Sequence, residues 1–250
     1  MKILVINPNI STDVSALIEA EARRSLLPGT EITMATAPFG VAYIETRAEA
    51  LVGGYAALQI AAEHYREHDA VVVAAFGDPG LEALREILPI PVVGMTEAAV
   101  MSAAQQGGRF SVIAISQRIQ AWYRECITAH GLAGRLASIR ALDEPLQHIG
   151  QVQENQGERL IALANEAVAK DGADSLILAG APLAGLARSV VGQLPVAALD
   201  GVTTALHQAQ AMVSMGAKTP SAGSYAPPPD KPCTGMTPAL NRLVGRRPFS

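Results

Sequence analysis

A unit of strand, turn, helix and proline occurs twice in this chain, and the repetition constrains the fold more than any other feature of the sequence. Residues 70–75, a turn, residues 81–88 and Pro91-Val92-Val93 recur as residues 175–179, a turn, residues 186–191 and Pro195-Val196-Ala197. Leu186 follows Leu81 by the same interval as Gly180 follows Ala75, and one residue is lost before the second proline. Residues 3–9 likewise match residues 111–117, which sets the turn Asn7-Pro8-Asn9 opposite Ile115-Ser116-Gln117. Short runs rich in Val and Ile that alternate with longer amphipathic segments are the pattern of parallel strands covered by helices. The expected fold class is α/β, with two similar doubly wound parallel-sheet lobes related by a pseudo-two-fold and a cleft between them.

Local signals divide the chain further. Residues 2–6 read as a strand, and Ser11-Thr12-Asp13 supplies capping oxygens for a helix that runs to about Ser25. A second strand is expected at Glu31–Thr36, a helix at residues 47–68, a third strand at residues 70–75 and a short fourth at Val92-Val93-Gly94. The helix at residues 97–105 and the strand at residues 110–115 open the second series. Residues 1–95 with about 207–226 are expected to form the N-terminal lobe and residues 96–206 the C-terminal lobe. Residues 227–250, which begin Pro227-Pro228-Pro229 and show no periodicity at first, read as a Pro-rich tail, either laid over the surface or reaching a neighbouring subunit, or disordered.

Charged residues make up only 17% of the 250, with 19 basic against 23 acidic and a net charge of −4. No basic surface for nucleic acid is expected. No run approaches the roughly 20 apolar residues of a membrane-spanning helix, and the apolar start Ile3-Leu4-Val5-Ile6 is short for a secretory leader. No membrane partner and a cytoplasmic address are expected. Two cysteines, Cys126 and Cys233, are too few for a disulfide framework or a cysteine-rich zinc site and are expected to be reduced. His64 and His68 stand one helical turn apart beside Glu63, Arg66 and Glu67, which reads as a solvated face rather than a metal pair, and no metal is expected. No G-x-G-x-x-G follows the first strand and no G-x-x-x-x-G-K-[ST] occurs, so no nucleotide or other cofactor is expected. The apolar composition and low charge point to a homo-oligomer.

Ligands of doubly wound sheets sit beyond the carboxyl ends of the strands, where the strand order reverses. The four turns at Asn9, Ala75, Ser116 and Gly180 should therefore converge on one cleft. The turn Phe76-Gly77-Asp78-Pro79-Gly80 reads either as backbone N–H groups aimed at a ligand anion or as a plain turn with Asp78 as a cap. Asn7-Pro8-Asn9 with Ser11 caps a helix, binds a ligand, or does both.

Four segments carry a resemblance that covers nearly the whole chain. Ile3-Leu4-Val5-Ile6-Asn7-Pro8-Asn9-Ile10-Ser11-Thr12, Ala75-Phe76-Gly77-Asp78-Pro79-Gly80-Leu81, Pro91-Val92-Val93-Gly94-Met95-Thr96-Glu97-Ala98-Ala99 and Asp200-Gly201-Val202 together resemble the Asp/Glu racemase superfamily, in its hydantoin and allantoin racemase branch. The resemblance implies two α/β lobes with the substrate between them. It also implies two cysteines, one at the end of the third strand of each lobe, of which a thiolate removes a Cα proton while a thiol delivers one to the opposite face. At those positions this chain has Ala75 and Gly180. Neither side chain carries a proton.

The resemblance implies a small-molecule substrate with a carboxylate or ureide group, held by Asn9, Ala75, Phe76, Gly77, Ser116, Gln117, Gly180 and Ala181. Tyr43, Glu45 and Asp78 are the candidate catalytic groups, because Val41-Ala42-Tyr43-Ile44-Glu45 matches a segment that reaches the cleft and Asp78 lies beside the vacant cysteine position. A carboxylate in an apolar cleft is a plausible acid or base, and the alternative is that Glu45 and Asp78 are caps or ion pairs. The expected protein is a cofactor-independent enzyme acting on a small cyclic ureide or amino acid derivative by hydrolase-like or lyase-like chemistry. The alternatives are an inactivated hydantoin racemase and a ligand-binding homologue without turnover.

Overall fold

Val71, Val72 and Val73 are all completely buried, as are Leu176 and Ile177, because β3 (Ala70–Val73) and β7 (Ser175–Leu178) are central strands covered by helices on both faces. The computed structural model describes residues 1–143, 148–218, 220 and 222–245. Its first sheet runs β2-β1-β3-β4, from β1 (Lys2–Asn7), β2 (Glu31–Thr36), β3 and β4 (Val92–Gly94). The second runs β6-β5-β7-β8, from β5 (Phe110–Ala114), β6 (Leu136–Ala141), β7 and β8 (Ala197–Asp200). Every pairing is parallel and the two orders are the same, so the internal repeat is a repeat of topology.

Helices α1 (Thr12–Ser25), α2 (Arg47–His64) and α3 (Leu81–Ile87) connect the first sheet, and α5 (Gln120–Ala129), α6 (Val152–Asp171) and α7 (Leu186–Ser189) the second. Ser11 caps α1 by accepting from the Val14 N–H, as its position before the apolar run suggests. The two halves are joined by an exchange of helices. The helix that leaves the first sheet, α4 (Met95–Gln106), packs on β7 and β8 of the second, while α8 (Gly201–Ser214), which leaves the second, packs on β3 and β4 of the first. These two helices also pack on each other. One apolar cluster consequently runs through both halves, from Ile3 and Val72 to Leu176 and Ile177.

A second apolar cluster lies on the outer face of the first sheet and is closed by α9 (Pro238–Val244), whose Leu240 and Leu243 pack with Leu4, Ile60 and Leu84. The Pro-rich end of the chain thus contains a docked helix that the periodicity of residues 220–238 does not announce. Thr237 caps it by accepting from the Leu240 N–H, and Pro238 begins it.

The histidine pair does not form a solvated face. Residues 65–67 turn as a 3-10 helix after α2, which rotates His68 inward, where it is buried with Nδ1 on the His64 carbonyl at 2.7 Å and Nε2 on Thr33 Oγ1 at 2.8 Å. The end of the helix, not its period, decides where His68 points.

Candidate functional site

The strand order reverses beside β1 and β3 in one sheet and beside β5 and β7 in the other. The residues just beyond those strands meet in a single pocket between the halves. Asn9, Ala75 and Phe76 line it from the first half, and Ile115, Gly180, Ala181 and Pro182 from the second. Tyr43, Ile44 and Glu45 close one side, and Ile119 and Tyr123 the other. Its cavity volume is about 30 Å³, space for roughly one water. Sites for ring-sized ligands usually hold more, on the order of 300 Å³.

Asn9 is buried and its Oδ1 accepts from the Ser11 N–H at 2.9 Å and from Asn7 Nδ2 at 3.1 Å. This oxygen orders the start of α1, and the side chain's Nδ2 has no acceptor among the described residues. Backbone bonds from Ala37 to Asn7 (2.9 Å) and from Ile10 to Val41 (3.0 Å) fasten the segment that carries Tyr43 and Glu45. Glu49 fixes the end of this segment by accepting from the Glu45 and Thr46 N–H groups at 2.8 and 2.9 Å, in a capping box at the start of α2. The Tyr43 phenol lies close enough to the Glu45 carboxylate to feel its charge. Burial, and then the charge and hydrogen bond of Glu45, raise the pKa of this phenol, so it stays neutral.

Tyr123 was not among the expected residues. Its ring centroid is 4.6 Å from that of Phe76 and 5.6 Å from that of Trp122, forming an aromatic wall. Burial pushes its hydroxyl pKa well above the ordinary value. The hydroxyl has no hydrogen-bond partner among the described residues, and it stands 3.9 Å from the place where a Cβ on Gly180 would sit. A hydroxyl without a protein partner that faces a pocket is a donor in reserve. Ile119 and Tyr123 lie one helical turn apart beside Trp122. That spacing is the same whether a helix face covers a core or a cleft, so no sequence signal separates the two.

Gly180 has φ +110° and ψ 143°, backbone that is almost confined to glycine. A Cβ there would touch Pro182, Ile115 and Tyr123 only at 3.6–3.9 Å, so space exists for a side chain but the backbone disfavours one. Ala75 is under no such constraint.

Four expected site residues stand outside the pocket lining. The Gly77 N–H donates to Thr96 Oγ1 at 2.5 Å, and a Cβ at Gly77 would lie 2.2 Å from the Trp122 ring. The turn is packed, not open to an anion. Asp78 turns from the cleft to the start of α4, where its carboxylate accepts from the Thr96 and Glu97 N–H groups at 2.7 and 2.9 Å. Ser116 accepts from the Arg118 N–H, and Gln117 Nε2 donates to the Ala141 carbonyl. Ser116 serves its own loop, whereas Asp78 and Gln117 serve backbone of other elements, the start of α4 and the end of β6. A larger cavity of about 400 Å³, edged by Arg85, Met101, Met212 and Tyr225, contains none of the expected site residues.

Two matching α/β halves with a common cleft at their strand ends define a class of enzymes that hold a small substrate between lobes. Residues 3–209 match the Asp/Glu/hydantoin racemase family, and the chain belongs to it. It is 34% identical over 233 residues to the hydantoin racemase of Paenarthrobacter aurescens, covering 92% of this chain and 99% of that protein. It is 31% identical over 243 residues to the hydantoin racemase of Pseudomonas sp. (strain NS671), covering 97% and 98%. Allantoin racemase from Klebsiella pneumoniae has the same fold, with a TM-score of 0.91, 30% identity and coverage of 96% and 98%. Hydrolase or lyase chemistry, expected from the missing thiols, finds no support among these relatives. No helix of the described residues is long and apolar enough to cross a membrane.

Proposed function

We propose that this chain binds a small cyclic ureide or a related amino acid derivative in the cleft between Ala75 and Gly180, and moves the proton at the carbon beside a carbonyl with a carboxylate in place of thiols. The carrying observation is the pocket's lining: where the racemase resemblance implies two cysteines there are Ala75 and Gly180, and the carboxylate that remains is Glu45. Glu45 accepts the proton and Tyr43 steadies its carboxylate. The Tyr123 hydroxyl and Asn9 Nδ2 donate to the carbonyl oxygen, which becomes an enolate as the C–H bond breaks. Inversion then requires that a water on the face opposite Glu45 give its proton to that carbon, and the hydroxide left behind takes up the proton that Glu45 accepted.

One base and a water predict an order of events that two thiols do not. With a single-handed 5-substituted hydantoin in D₂O, deuterium enters the ring carbon faster than optical rotation is lost. Glu45→Gln lowers the exchange by about 10²–10⁴-fold, the usual worth of a general base. Absence of exchange overturns the proposal. Binding without exchange, seen by calorimetry, identifies a ligand-binding homologue, and a ring-opened product in the mass spectrum identifies a hydrolase. Self-association is also proposed, because Leu51, Val52 and Tyr55 are exposed together on α2; light scattering from a monomer at working concentration rules it out.

A further inference from the structure

The packed turn after β3 meets α5 at Cys126 and meets His130, the residue that ends α5. Asp78 has φ +47°, the only positive φ outside glycine among the described residues. Such a conformation persists where its surroundings hold it. Three groups hold this one: the Thr96 and Glu97 N–H groups of α4, and Nε2 of His130, which lies 3.5 Å from Asp78 Oδ2. The side chains of Asp78 and His130 are 3% and 11% exposed, so solvent does little to weaken the pair. Four residues earlier on α5, Cys126 Sγ stands 3.7 Å from the Gly77 carbonyl. Its thiol is pushed up to about 12, first by burial and then by the Asp78 charge, and stays protonated beside that carbonyl.

The same helix and the same turn carry the two rings that face each other in the cleft. Tyr123 precedes Cys126 on α5, and Phe76 precedes Gly77 in the turn, with 4.6 Å between the ring centroids. We propose that His130 is a positioning residue: protonated, it closes on Asp78 and holds α5, and with it the Tyr123 wall of the cleft, against the β3–α3 turn, and on losing its proton it releases them. The charges of Asp78 from the turn, Glu97 from α4 and Glu82 from α3 act on His130, and Arg85 of α3 is paired with Glu97 beside them. The hydrogen bond to Asp78 raises the ring's pKa above 6.5 against the opposing effect of burial, and the charges of Asp78, Glu97 and Glu82 raise it further. The clasp is therefore closed below a pH of 6.5 and opens as pH rises through the raised value.

Trp122 is the single tryptophan of the chain and its ring lies against Gly77, so its fluorescence reports this contact without any ligand. A titration of the full chain from about pH 5 to about pH 9 spans the range of an ordinary or raised histidine. The wild type is expected to show one emission change centred above 6.5. His130→Lys, always charged, keeps the low-pH emission throughout, and His130→Asn, never charged, keeps the high-pH emission throughout. A merely structural histidine would not produce two opposite fixed states. A flat wild-type titration overturns the proposal, as does a transition that survives in His130→Asn with the same midpoint. Should one variant fail to fold by circular dichroism, the other and the wild type decide. The clasp rests on the cleft reading only for its purpose: a hydantoin that fails to bind sinks that reading and leaves this titration unchanged.

Discussion

The two turns that face each other across the cleft occupy the same place in the same topology and are held by opposite means. In the first half the carboxylate that caps the following helix comes from the turn, since α4 has Gly94 at its start and Asp78 reaches over to accept from Thr96 and Glu97. A Cβ at Gly94 would lie 2.4 Å from that carboxyl group. In the second half the corresponding residue at the helix start is Asp200, which caps α8 itself by accepting from the Thr203 N–H at 2.9 Å. Three residues before the helix Leu186 stands Leu183, fully buried, where Asp78 stands three residues before Leu81. The second turn is held from outside, by Gln153 Nε2 on the carbonyls of Pro182 and Ala184 at 2.9 Å each. Both helices need an acceptor at the same point. Where a residue from the turn supplies it, the turn is tied to the next helix; where the helix supplies it, the turn is tied elsewhere, here to Gln153.

The difference is tested most severely at Asp78. Asp78→Ala strips two N–H groups and His130 of their partner at once and should cost about 3–5 kcal/mol, the range for breaking a buried charged pair; a shift of the urea midpoint worth less than one such interaction would show that the first turn is not held this way. Next in size is Gly180→Cys, which forces a side chain onto a glycine backbone and should cost about 1–3 kcal/mol. Ala75→Cys should be close to neutral, so thermal melts of the two single variants separate the turns. A smaller effect sharpens the exchange of caps. In the Asp78→Ala background, Gly94→Asp should recover only a few tenths of a kcal/mol, roughly the advantage of Asp over Gly at an N-cap, whereas in the wild type the same substitution collides with Asp78 and destabilises.

The smallest effect is a slope with pH. Burial raises the pKa of Asp200 above 3.8, with the charge of Glu21 adding to it and the hydrogen bonds from Thr203 opposing. For a carboxyl raised in this way the folded state holds its proton more tightly than the unfolded state, so stability falls as pH rises from 3.8 to the raised value. Asp200→Asn removes that slope. The His130 pair has the opposite origin and a higher window, contributing fully below 6.5 and fading as pH rises through its raised value. Denaturation midpoints across the two windows tell the two caps apart.

Much of the pocket's lining was legible in the sequence. The repeat placed Ala75 opposite Gly180 by arithmetic alone, and both line one pocket, because strand ends at a reversal of strand order have nowhere else to go. Tyr43, Glu45, Asn9, Phe76 and Ala181 line it with them. Gly77, Asp78, Ser116 and Gln117 lie near the cleft in sequence and outside its lining in space, since each is engaged in a hydrogen bond elsewhere, to α4, to its own loop or to the end of β6. Tyr123 is the converse, a residue of a helix far along the chain that only packing brings to the wall.

Periodicity and turn residues determined the strands, their parallel pairing and the cleft's place, because these depend on spacing along the chain and on backbone that glycine, proline and capping side chains control locally. The tertiary structure decided which polar side chains face a ligand and which are spent on helix ends, the exchange of α4 and α8 between sheets, and the docking of α9. Those outcomes turn on contacts between residues distant in sequence, where several partners compete for one group and only their relative positions settle which prevails.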